Sequence, residues 1–86
     1  MTPDKQKAKR LIKQASGTIE KIQTMIETDV YCPEIIQQVD SVLGMVHAAR
    51  IELLRGHLSH CLADRLKTNK DQTIEELIKI YKLSHS

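Results

Sequence analysis

The chain has 86 residues, 13 Lys and Arg against 11 Asp and Glu, and a net charge of +2. It contains no Trp and no Phe, so a single domain over residues 1–86 buries a thin core by itself and gains from oligomerisation. No apolar run approaches membrane-spanning length, and no apolar stretch follows the N-terminal lysines, so neither a membrane protein nor a signal peptide is expected.

The first element opens at Thr2-Pro3-Asp4. Thr2 is a cap, Pro3 suits the first helical position, and Asp4 complements the helix dipole. Ala8, Leu11, Ala15, Ile19, Ile22 and Ile26 then recur at steps of three and four, one stripe of a helix that should end around Thr28 to Val30. Gly17 interrupts the pattern and suggests close approach of another helix. Lys5, Lys7, Lys9, Arg10 and Lys13 crowd the same segment against Asp4 alone. Such a face is either simply solvated or a phosphate-contacting surface, which symmetry in an oligomer would enlarge. No aromatic residues interleave with it, which argues against stacking on single-stranded nucleic acid.

A second long helix follows Cys32-Pro33. Ile35, Val39, Val42, Val46, Ala49 and Leu53 read as a heptad seam, with Ile36, Leu43, His47, Ile51, Leu54 and Leu58 as an adjoining stripe. Gly44 and Gly56 are tolerated within it, and it fades near Leu66 to Thr68. Asn69 to Gln72 makes a turn. Thr73-Ile74-Glu75-Glu76 matches a capping box that opens a short third helix through Ile74, Leu77, Ile78 and Tyr81. The fold expected is therefore all-α, with two long helices and a short one per chain.

The chemistry lies at the two ends of the second helix. His57 and Cys61 are four residues apart, so on a helix both face one side and can reach one ion. His60 points elsewhere. Cys32 lies 25 residues before His57 and 29 before Cys61. That is roughly 37 to 44 Å along an unbroken helix. Cys32 cannot join that pair in its own chain, but it can in a second chain packed antiparallel about a two-fold axis. Two thiolates and an imidazole form a soft set, and three ligands favour Cu(I) over the four-coordinate habit of structural zinc. The plainer alternative makes His57 and Cys61 boundary residues of a helical scaffold with no ligand, since free Cys often packs as a small hydrophobe.

The pattern Tyr31-Cys32-x-Glu34-Ile35-Ile36-x-Gln38-Val39, then His57-x-x-His60-Cys61, resembles the CsoR/RcnR family of bacterial metal-sensing repressors. The resemblance runs from Gly17 to about Leu66. It implies antiparallel helical-bundle dimers that assemble to tetramers, bind double-stranded operator DNA without a helix-turn-helix motif, and release it on binding inducer. In the copper-sensing branch it implies trigonal Cu(I) held by Cys32 of one chain and by His57 and Cys61 of the other. Tyr31 and a Glu of the third helix, Glu75 or Glu76, would support those ligands. The basic cluster Lys5, Lys9, Arg10 and Lys13 is the expected DNA surface, and the resemblance adds a DNA-contacting Arg in mid-helix, for which Arg50 is the candidate. Here the chain departs from the family: of the basic run common ahead of the Gly-Gln pair only Lys13 is charged, and His47 lies near Arg50 in mid-helix.

The expected function is thus a cytoplasmic, Cu(I)-responsive repressor. A thiol- or persulfide-sensing repressor using Cys32 and Cys61 is the alternative, and the scaffold a third. No nucleophile–base–orienter set and no Gly-rich phosphate loop suggests an enzyme.

Overall fold

A computed structural model describes residues 1–84, the side chains of Cys61 and Ser84 apart. Every regular element among the described residues is helical. The elements are α1 (Pro3–Glu27), α2 (Cys32–Gly56), a π-helical turn (His57–Cys61), α3 (Leu62–Thr68) and α4 (Lys70–Ser84). Among the described residues there are four α-helices where the apolar periodicity suggested three. A five-residue π turn divides the second long segment, and hydrophobic spacing does not report that change of hydrogen-bond register. Contacts gather into two compact units, Met1–Leu54 and a second beginning at Arg55.

In the first unit, α1 begins as its sequence dictates. Thr2 is extended (φ −67°, ψ 157°), and its hydroxyl accepts from the Lys5 amide at 3.3 Å. Its far end closes with a full Schellman pattern. The Val30 amide donates to the Met25 carbonyl at 2.9 Å and the Asp29 amide to Ile26 at 3.2 Å. Asp29 takes the left-handed conformation that this closure requires, with φ 57°. Glycine fits there without a Cβ clash. Asp29→Gly is therefore expected to raise stability by about 0.5–1 kcal/mol, read as an increase in Tm.

After this turn the chain reverses. Lys7 Nζ lies 3.3 Å from Glu52 Oε1, and the two residues fall symmetrically about residues 28–31. This pairing defines an antiparallel α1/α2 hairpin. Ala8 and Ala15 of α1 and Ala49 of α2 are its buried apolar residues, and their small side chains let the backbones approach. Glu52 is 8% exposed, so Lys7 compensates a carboxylate that burial would otherwise penalise.

The expected seam is rotated. Ile35, Val42 and Ala49 are half-buried or buried, and Gln38, Met45 and Glu52 share their side of α2. Val39, Val46 and Leu53 are exposed, as are Ile36, Leu43, Ile51, Leu54 and Leu58. Gly17 marks no close approach among the described residues, because a Cβ there would meet none of them within 4 Å.

In the second unit only Asn69 separates α3 from α4. Its amide donates to the Arg65 carbonyl at 2.8 Å, and its side-chain Nδ2 donates to Gln72 Oε1 at 2.6 Å. The expected cap at Thr73 is displaced: α4 starts three residues before it, at Lys70. Asn69-x-x-Gln72 offers a competing cap-and-box pair, and Asn is a good cap. Thr73 is fully buried, and its hydroxyl donates to the Asn69 carbonyl at 2.6 Å. Across this corner Arg65 Nη2 donates to Glu76 Oε1 at 2.9 Å. None of the described helices is long and apolar enough to cross a membrane.

Candidate metal centre

His57 is the first residue of the π turn, directly after α2. The Leu62 amide donates to the His57 carbonyl, the i→i+5 bond of a π turn. Four residues fall just beyond one turn of an α-helix and just short of one turn of a π-helix. Positions 57 and 61 therefore share a side in either case. The His57 side chain is half-buried. Its Nε2 is buried and has no hydrogen-bond partner among the described residues. A buried imidazole nitrogen without a partner has lost its water with nothing in return, a cost of about 1–3 kcal/mol that native structures rarely leave uncompensated. Coordination to a metal ion would satisfy it, and a soft ion suits the neighbouring thiol position. The residues present thus fit a soft metal.

His57 shares an open hollow of about 570 Å³ with Asp64, Arg65 and Glu76. Glu76 is half-buried and bonded to Arg65, whereas Glu75 is exposed. Glu75 lines, with Glu76, a separate hollow between Gln72 and Lys82. Of the two glutamates, Glu76 is the one that borders His57.

At the other end of α2, Cys32 is the first helical residue and a free, exposed thiol. Pro33 is tolerated behind it because first-turn amides need no intrahelical acceptor. Cys32 edges an apolar hollow of about 350 Å³ formed with Ile26, Asp29, Val30, Ile35 and Ile36. Tyr31 beside it is 75% exposed. Among the described residues, no group of three His, Cys, Asp or Glu side chains is gathered to hold a metal within the chain.

Of the basic residues, Lys5, Lys9, Arg10 and Lys13 are exposed on α1, with Lys5, Lys9 and Lys13 in one i, i+4, i+8 row. Lys7 turns instead to Glu52. Arg50 and His47 are exposed on α2, and His60 is exposed within the π turn. His85 lies outside the described residues. The residue overlooked in the sequence is Arg65. It stands four positions after Cys61 and eight after His57, a helical row that already hinted at a shared side.

An all-helical chain with a thiol and an imidazole–thiol pair at opposite ends of one helix, and a basic row on another, has the makings of a metal-responsive regulator. The chain belongs to the family of metal-sensitive transcriptional repressors, whose pattern matches residues 4–82. This is the CsoR/RcnR family that its motifs resemble. The chain is 35% identical over 72 residues to the copper-sensing transcriptional repressor CsoR of Bacillus subtilis, covering 83% of this chain and 71% of that protein. It is 38% identical over 55 residues to the copper-sensing transcriptional repressor RicR of Mycobacterium tuberculosis, covering 64% and 56%. It is 29% identical over 85 residues to CsoR of Mycobacterium ulcerans, covering 98% and 73%. No solved structure matches the chain.

Proposed function

We propose that the protein is a Cu(I)-responsive repressor that binds operator DNA in its metal-free form and releases it when Cu(I) binds between subunits. Each site would take Cys32 from one chain and His57 and Cys61 from its partner, twice per dimer. The observation that carries this reading is the buried, unpartnered Nε2 of His57, four residues before Cys61 in a π turn. Bound Cu(I) would supply a trigonal thiolate–imidazole centre.

The extent of α2 supports the intersubunit arrangement. It separates Cys32 from His57 by 25 residues of helix, roughly 37 Å at 1.5 Å per residue. The exposed apolar stripe of α2 and the apolar hollow beside Cys32 offer a second copy the surface it needs. Homodimers, associating to tetramers, would also join the basic rows of α1 into one field for a DNA duplex. The protein acts in the cytoplasm and has no catalytic role.

Fixing Nε2 leaves the other nitrogen of His57 as a donor, and Glu76, which lines the same hollow, is the carboxylate of α4 assigned to accept it, with Tyr31 of the other chain as a neighbour. The names of the relatives favour copper over the thiol-sensing alternative. The copper reading also gives the bare imidazole nitrogen a partner, which oxidation of Cys32 and Cys61 would not.

Affinity for DNA from upstream of the protein's own gene, measured anaerobically by fluorescence anisotropy, tests the reading. A fall of roughly 5- to 150-fold on adding Cu(I) is expected, the usual range of coupling between two sites. Unchanged affinity with Cu(I) bound would remove it.

A further inference from the structure

We propose that Arg65 is a positioning residue that holds Glu76 in the DNA-binding form, so that Arg65 and His57 compete for one carboxylate. The proposal rests on the repressor reading above. Three observations within the second unit carry it. Arg65 Nη2 lies 2.9 Å from Glu76 Oε1 across the α3/α4 corner. His57, Arg65 and Glu76 border one hollow. His57 Nε2, the nitrogen assigned above to the metal, has no partner among the described residues, and Glu76, the carboxylate of α4 among the described residues bordering that hollow, is engaged by the guanidinium.

The corner makes this arrangement a poised one. The buried Thr73 pins the start of α4 to Asn69 through a 2.6 Å hydrogen bond. One turn further on, Arg65–Glu76 is an ion pair with side chains 48% and 38% exposed. Water screens such a pair, so it is weak enough to exchange partners. When the imidazole becomes an oriented donor, Glu76 gains a second acceptor role and its hold on Arg65 loosens. The guanidinium thus biases the equilibrium toward the form without metal, which raises DNA affinity and lowers metal affinity.

The test uses the full chain with Arg65→Gln, Arg65→Lys, Glu76→Gln and the Arg65→Gln/Glu76→Gln double variant. DNA affinity is measured without metal, and Cu(I) affinity by competition with a chromophoric chelator. Arg65→Gln is expected to weaken metal-free DNA binding about three- to fivefold and to tighten Cu(I) by a similar factor, the scale of an exposed ion pair. Arg65→Lys restores part of both. In the Glu76→Gln background, Arg65→Gln has no further effect. A loss of DNA affinity that persists in that background would make Arg65 a direct phosphate contact and overturn the proposal. So would unchanged Cu(I) affinity in Arg65→Gln. If the unaltered chain fails to release DNA with Cu(I), the repressor reading itself has failed. If it releases DNA and Arg65→Gln behaves identically, only this inference falls.

Discussion

Replacing Cys61 with Ala is expected to leave the helices and metal-free DNA binding intact and to weaken Cu(I) binding by more than about a hundredfold. Outer partners of metal ligands already act on a 10- to 100-fold scale, so loss of a ligand must exceed it. Cys32→Ala should do the same, although Cys32 lies at the far end of α2 and is exposed, where truncation removes almost no packing. Both variants should then repress whether or not copper is present, if DNA release runs through the proposed site. Equilibrium competition for Cu(I), with thermal melts as a control on folding, reads the outcome. A ligand-free scaffold predicts the reverse: a change in stability and none in metal affinity.

The second large effect concerns DNA. Changing Lys9, Arg10 and Lys13 together to Gln should weaken binding to every duplex and flatten its salt dependence. Each phosphate contact contributes a slope of about −0.9 in log K against log salt, so the slope should fall by about 2 to 3 for each chain engaged. Cu(I) affinity should not change. Lys7→Gln is the informative contrast, since its ammonium is committed to Glu52 at 3.3 Å. Its loss should lower the melting temperature, because a carboxylate only 8% exposed loses its partner, and should leave the salt slope nearly unchanged. A triple variant with an unaltered slope would move the DNA surface off α1.

Local signals in the sequence placed much of this architecture. Thr2-Pro3-Asp4 fixed the start of α1 because capping is a property of three adjacent residues. The end of α1 and the first turn of α2 followed from the Cys32-Pro33 step in the same way. Facing relations were harder to read. The apolar face of α2 carries two stripes, and periodicity does not say which edge meets α1. Packing chose the edge holding Ala49 because Ala8 and Ala15 allow close approach there. The box at Thr73 lost to Asn69 and Gln72, an equally good pair four residues earlier.

For the site, spacing put positions 57 and 61 four apart along a helix, and in the structure both positions fall in a π turn whose backbone repeat is also close to four residues. The bare Nε2 of His57 and the Arg65–Glu76 pair were out of reach of spacing. Burial of one nitrogen depends on neighbours from other turns. An ion pair eleven residues apart depends on a corner made by a single residue, Asn69.

The most direct measurement mixes two disabled chains. Cys32→Ala protein and Cys61→Ala protein are unfolded together, refolded in equal amounts, and titrated with Cu(I). Neither alone should bind tightly. If the ligands come from two chains, half the dimers are mixed and each carries one intact site, so the mixture should recover about a quarter of the unaltered capacity. Recovery of no tight site in a mixture shown to contain mixed dimers would place all three ligands in one chain and contradict the account.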